Sequence, residues 1–187
     1  MKISATLLAG GDSRRMGRDK ATLEFEGKPL WQHQLDLLRL MEPDRIFVSG
    51  RMDPIWRPDD CDFIADEAPS RGPLSGLASA LRRIRSSHLL ALAIDMPFMT
   101  ADYLRSLLNN LEPGSGVLPL IEGRAEGLAA VYPVEAAAVA LAALSGNDFS
   151  LQSFTRQLIQ SGQLKTAAVT KEDRQLFRNL NQPADLA

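Results

Sequence analysis

Apolar positions in this chain fall into short runs divided by polar, glycine- or proline-bearing turns, and the period within each run separates strands from helices. Residues 3–8 (Ile-Ser-Ala-Thr-Leu-Leu) read as a strand. Residues 21–26 alternate and stop at Gly27, which predicts a second short strand folding the intervening loop back toward the sheet. Pro29 suits a first helical position, and Leu30, Gln34, Leu37, Leu38 and Met41 then follow the helical period until Pro43. Residues 45–49 predict a strand ended by Gly50, 51–60 a proline-broken loop, and 62–65 a short strand that delivers Asp66. Leu74, Leu77, Leu81 and Ile84 share one face of a helix begun by Pro73. Residues 88–94 open on His88 and are then apolar without interruption, as expected of a central parallel strand covered on both faces, and they end in Asp95-Met96-Pro97-Phe98.

A helix opened by Thr100 carries Leu104, Leu107, Leu108 and Leu111. Beyond it, 116–120 and 127–132 read as strands around a polar turn at 122–124. An alanine-rich helix over 133–144, a helix over 151–159 capped by Ser150, and a last strand over 163–169 follow. Strands alternating with helices across short connectors imply parallel pairing with right-handed crossovers, hence an α/β fold.

With 187 residues, no internal repeat and no low-complexity linker, one domain spanning 1–187 is expected. A formal charge of −2 gives no general attraction to nucleic acid or membranes, so a basic segment here must act locally. Cys61 is the sole cysteine, which excludes an intramolecular disulfide and a cysteine-clustered zinc site and suits a reducing compartment. No run reaches the roughly 18 apolar residues of a membrane span, and the opening strand is too short for a signal-peptide core. A cytoplasmic protein is the expectation.

The chemistry concentrates after the first strand, where Leu8-Ala9-Gly10-Gly11-Asp12-Ser13-Arg14-Arg15-Met16-Gly17-Arg18-Asp19-Lys20 joins glycines to cations. Gly10 and Gly11 lack a Cβ and tolerate positive φ, so their backbone can approach an anion closely. Arg15 and Lys20 can then place a planar fork and a point charge on that anion. Neither the P-loop pattern nor the dinucleotide fingerprint fits. In a parallel sheet Leu8, Asp66 and Asp95 all leave strands at the same edge, where open α/β sheets bind ligands. Asp95 reads as a metal-binding carboxylate ahead of the alternative, a turn-capping one before the helix opened by Thr100. Asn179 and Asn181 read as a pair of donors or as a turn-forming pair before Pro183. His33 has no partner at ligand spacing and reads as a surface or packing residue, His88 as structural.

The first stretch resembles the L-A-G-G-x-S-x-R-M-G-x-D-K signature of the molybdenum cofactor guanylyltransferases, and every fixed position is met. Arg71-Gly72-Pro73-Leu74 and Asp95-Met96-Pro97-Phe98 are similar to two further motifs of that family. Glu126-Gly127-Leu128-Ala129-Ala130-Val131-Tyr132 departs from E-P-L-x-A-x-Y at Gly127, predicting a looser turn, and the closing Asn179-Leu180-Asn181-Gln182-Pro183 departs at Gln182. The resemblance implies a three-layer Rossmann-like nucleotidyltransferase fold with a mostly parallel sheet, of the nucleotide-diphospho-sugar transferase type. It further implies transfer of GMP from GTP to molybdopterin with Mg²⁺ as cofactor. In its terms Leu8, Ala9 and Gly10 contact guanine and Gly11 leads to the phosphates. Asp66 holds the guanosine, Asp95 the Mg²⁺, and Arg15 and Lys20 the phosphates. Asn179 and Asn181 bind pterin, and the loop after Arg71 approaches base and ribose. It leaves room for transient contact with other proteins of molybdenum cofactor biosynthesis. Rival readings are a cytidylyltransferase of the same fold, whose loop tends to read L-A-A-G, and a nucleotide-binding regulator without catalysis.

Overall fold

A mixed sheet with helices on both faces organises the protein, whose computed structural model describes residues 1–10 and 19–180. In chain order the elements are β1 (Ile3–Leu8), β2 (Glu24–Phe25), β3 (Lys28–Pro29), α1 (Leu30–Arg39), β4 (Ile46–Gly50), β5 (Asp62–Ala65), α2 (Pro73–Arg83) and β6 (His88–Ala93). They continue with α3 (Ala101–Leu108), β7 (Gly116–Ile121), β8 (Arg124–Ala125), β9 (Ala129–Pro133), α4 (Ala136–Ser145), α5 (Leu151–Gln160) and β10 (Leu164–Ala168). The sheet order is β10-β7-β9-β6-β1-β4-β5, with β8 paired to β7. β1 lies parallel to both β4 and β6, β4 to β5, and β7 to β10, while β9 runs antiparallel between β6 and β7.

Strand alternation divides the core in two. Ala5, Leu7, Leu90, Leu92, Ala129 and Val131 face α1 and α3; Leu8, Leu89, Ala91, Leu118, Ala130 and Tyr132 face α2, α4 and α5. β1 and β6 are buried along their whole length, and β6 accordingly reads as an apolar run from Leu89, whereas β1 carries the small buried polar residues Ser4 and Thr6. Helix ends follow local chemistry. Thr100 Oγ1 accepts from Tyr103 N–H, Ser150 Oγ from Ser153 N–H, and Pro73 starts α2 after Gly72 at φ 78°.

The structure corrects some boundaries. Residues 20–22 form a 3-10 turn in place of the first half of the expected strand. Asp19 accepts from Ala21 N–H at 3.0 Å and Thr22 Oγ1 donates to the Asp19 carbonyl at 2.8 Å, and such local bonds outweigh alternation over so short a run. What remains is the hairpin β2–β3, turned by Glu26 and Gly27 at φ 51° and 77°. Pro29 closes that hairpin, so α1 begins one residue later, and Pro133 ends β9, so α4 begins at Ala136.

His88 and His33 both have structural partners. The buried His88 ring lies against Ser87 Oγ and the carbonyls of Glu112 and Ser115. Cys61 is buried, and burial pushes its thiol up to about 11, which leaves it protonated and inert near neutral pH.

Candidate active site at the carboxyl edge of the sheet

β1, β4, β5 and β6 run the same way, so the residues that follow them meet at one edge. Leu8 ends β1 with its carbonyl accepting from Ile94 N–H, and Ala9 N–H continues the ladder to the Ser49 carbonyl. Asp66 follows β5 and returns its N–H to the Gly50 carbonyl at 2.9 Å.

The Asp66 carboxylate is wedged between two glycines. A Cβ on Gly10 would stand 2.9 Å from Asp66 Oδ2, and one on Gly76, in the first turns of α2, would stand 2.9 Å from Oδ1 and run into Ser49 Oγ. Gly10 does not adopt a left-handed backbone; what it supplies here is space for a carboxylate. Ser70 Oγ donates to Oδ2 at 3.2 Å, while Oδ1 is buried without a hydrogen-bond partner among the described residues. Burial raises this carboxyl above the ordinary aspartate range, opposed by the Ser70 hydrogen bond and by the charge of Arg51. A half-buried carboxylate with an idle acceptor is suited to a ligand that brings its own N–H or O–H donors.

Asp95 leaves β6 two residues past its end. Its Oδ2 accepts from Lys20 Nζ at 3.0 Å, both side chains being about one-fifth exposed. This contact spans 75 positions of sequence and joins the basic stretch to the D-M-P-F turn. Lys20 is aimed by its own turn, since Asp19, which caps that turn, also accepts from Trp56 Nε1 at 2.8 Å. Trp56 in turn stacks on Trp31 of α1 at 5.6 Å. The Asp95 turn is braced by His33, whose Nε2 lies 3.0 Å from the Pro97 carbonyl, and by buried Gln34, whose Nε2 lies 3.4 Å from the Ala93 carbonyl. The chain near its end returns across this edge, with Leu180 N–H donating to the Asp95 carbonyl at 2.9 Å and the Leu180 side chain buried. Asn179 is therefore brought beside Asp95 and is exposed.

Gly11, Arg15 and Asn181 lie outside the described residues. No cluster of three or more metal-ligating side chains occurs among the described residues. A single carboxylate at a strand end fits Mg²⁺, which is commonly held by one or two carboxylates and completes its shell with phosphate oxygens and water.

Other parts of the edge were not legible as such. Glu126 is a half-buried carboxylate raised by burial, with Arg124 opposing, on the turn whose Leu128 carbonyl accepts from Ala93 N–H. Gly127 does not loosen that turn. Its carbonyl accepts from the Tyr132 hydroxyl at 2.7 Å, and a Cβ there would meet the same hydroxyl and Leu151. Arg71 fastens its loop to the far end of α4, donating to the Leu144 carbonyl at 2.8 Å and lying over the Phe149 ring. A groove of about 330 Å³ between the C-terminal ends of α1 and α3 lies at the opposite edge of the sheet, away from Asp66 and Asp95.

Residues 5–164 match the MobA-like NTP transferase domain. The chain is 32% identical over 186 residues to the protein named probable molybdenum cofactor guanylyltransferase from Opitutus terrae, covering 98% of this chain and 92% of that one. Its fold is similar to that of molybdopterin-guanine dinucleotide biosynthesis protein A from Archaeoglobus fulgidus, with a TM-score of 0.76 at 22% identity over 98% of this chain and 94% of the other. It is also similar in fold to 4-diphosphocytidyl-2C-methyl-D-erythritol synthase from Anaerococcus prevotii, with a TM-score of 0.72 at 13% identity over 99% and 94% of the two chains.

Proposed function

The chain belongs to the family of MobA-like NTP transferase domains and is a nucleotidyltransferase, and from that premise we propose that it transfers GMP from GTP to molybdopterin. An oxygen of the terminal molybdopterin phosphate attacks the α-phosphorus of GTP. A new P–O–P linkage forms, the bond from the α-phosphorus to the bridging oxygen breaks, and pyrophosphate leaves. The reaction needs in-line placement and neutralisation of charge, and no covalent nucleophile. The observation that carries the reading is the Lys20–Asp95 contact, which brings a cation and a carboxylate from distant motifs to the edge where Asp66 also stands.

In this reading the backbone of Leu8, Ala9 and Gly10 and the Asp66 carboxylate hold the guanosine, and Gly11 leads to the phosphates. Lys20 and Arg15 neutralise the phosphates. Asp95 holds Mg²⁺, which supplies charge on the phosphate oxygens when bound. Asn179 and Asn181 face the pterin. The enzyme acts in the cytoplasm as one domain over residues 1–187. Among the described residues no helix is long and apolar enough to cross a membrane.

The test is incubation with each NTP in turn, Mg²⁺ and molybdopterin, followed by assay of pyrophosphate and dinucleotide. Guanine dinucleotide from GTP alone is expected. A CTP preference moves the chain to the cytidylyl branch, and absence of product with every NTP leaves a nucleotide-binding regulator.

A further inference from the structure

Arg178 is an exposed arginine with no carboxylate partner among the described residues, at the edge where Lys20 and Arg174 each have one. Lys20 is on Asp95 and Arg174 on Glu122. The Arg178 guanidinium lies instead over the ring of Phe98, 5.1 Å from its centroid. Phe98 is three residues past Asp95, and its ring meets Phe25 edge-on at 5.3 Å, which meets His33 edge-on at 5.1 Å. His33 is itself bonded to the Pro97 carbonyl. The stacking surface is thus tied at both ends to the turn that carries Asp95.

Two residues beyond Arg178, the Leu180 N–H is fixed on the Asp95 carbonyl, and the intervening backbone starts extended at φ −69°, ψ 126°. Two extended residues span roughly 7 Å. Arg178 therefore starts within one side-chain length of Asp95, on the flank where the chain returns, whereas Asp66 lies on the other flank across β1 and β4. An arginine stacked on an aromatic face keeps its in-plane N–H donors open, and that fork matches a phosphate bidentately.

We propose that Arg178 is the acceptor-phosphate clamp: its guanidinium, held flat on Phe98, binds the terminal phosphate of the acceptor and aligns it for attack beside Asp95. This rests on the transfer reaction proposed above and adds a residue that is not a fixed position of the motifs the sequence resembles. Arg178 acts on the acceptor and not on the nucleotide. Its loss raises the acceptor KM and leaves GTP binding unchanged, a split that general loosening of the tail does not produce.

The experiment compares the parent with Arg178→Gln, Arg178→Lys and Phe98→Leu, varying molybdopterin at saturating GTP and the reverse, with calorimetric GTP binding alongside. A charged hydrogen bond of this kind corresponds to a roughly 10- to 100-fold rise in acceptor KM for Arg178→Gln. Arg178→Lys, which keeps charge without the fork, and Phe98→Leu, which removes the stacking surface, should fall between it and the parent. An acceptor KM within about twofold of the parent in Arg178→Gln, or a parallel rise in the GTP dissociation constant, overturns the assignment. If the parent makes no dinucleotide, the transfer reading fails on its own, and inorganic phosphate titrated into the GTP-loaded parent and Arg178→Gln decides the clamp. Phosphate binding weakened about tenfold in the variant upholds it, and equal binding overturns it.

Discussion

Asp66 holds one carboxylate oxygen buried and, among the described residues, unpartnered, so its ionised form is disfavoured by burial and a ligand donor placed there would relieve it. With the folded pKa raised, its protonated form favours folding below the ordinary aspartate range, and that contribution is lost as pH rises through the raised value. Asp66→Asn removes the charge, so the melting temperature of the variant relative to the parent should be highest near about pH 7 and decline toward about pH 4. Its GTP affinity should fall; thermal scans at both pH values beside calorimetry check the pair of outcomes. Lys20 and Asp95 are mostly buried, so removing one partner leaves a poorly solvated charge and should cost more than the roughly 1 kcal/mol of an exposed pair. Turnover should respond far more. Lys20→Ala should lower it roughly 10²- to 10³-fold, the scale of a lost preorganised donor, while Asp95→Asn folds and is inactive. If Asp95 only caps its turn, Asn serves nearly as well and Mg²⁺-dependent pyrophosphate release survives.

At the scale of elements, the end of β1 and the first turns of α2 close on Asp66 from two sides with glycine at each contact. Ala is normally favoured over Gly inside a helix by about 1 kcal/mol. At Gly76 the sign should reverse, because the added methyl displaces Ser49 Oγ and the Asp66 carboxylate together. Urea unfolding of Gly76→Ala should show a lower midpoint, and GTP titration a weaker complex. In Gly10→Ala only the end of a flexible carboxylate must move, so stability should change little while GTP affinity falls. The element boundaries argue the same way. The 3-10 turn at 20–22 exists because Asp19 satisfies local N–H groups, a bond that no hydrophobic pattern reports.

On the scale of the whole molecule, the sheet gathers ligand groups from β1, β5, β6 and the returning chain at one edge, so ligand binding should brace the fold broadly. At about 100 times its dissociation constant GTP should add roughly 2.7 kcal/mol, which for a chain of this size raises the melting temperature by roughly 5–10 °C. CTP at the same concentration should do less if the backbone of residues 8–10 reads guanine as proposed, since cytosine would leave those groups unpaired. Equal shifts with both nucleotides would contradict guanine selectivity.

What the sequence determined by itself were features written in neighbouring residues. The apolar run of β6, the proline start of α2 and the caps Thr100 and Ser150 each follow from local physics, and the strand-helix order made Leu8, Asp66 and Asp95 share an edge before any contact was known. Tertiary structure alone decided the contacts between distant residues. It placed Lys20 on Asp95 across 75 positions, set Gly10 and Gly76 against one carboxylate, turned Arg71 away to α4, and laid Arg178 on Phe98. A period or a motif records which face a residue takes and what chemistry it carries. Which side chain meets it there depends on packing between elements far apart in the chain, and single positions carry no signal of that.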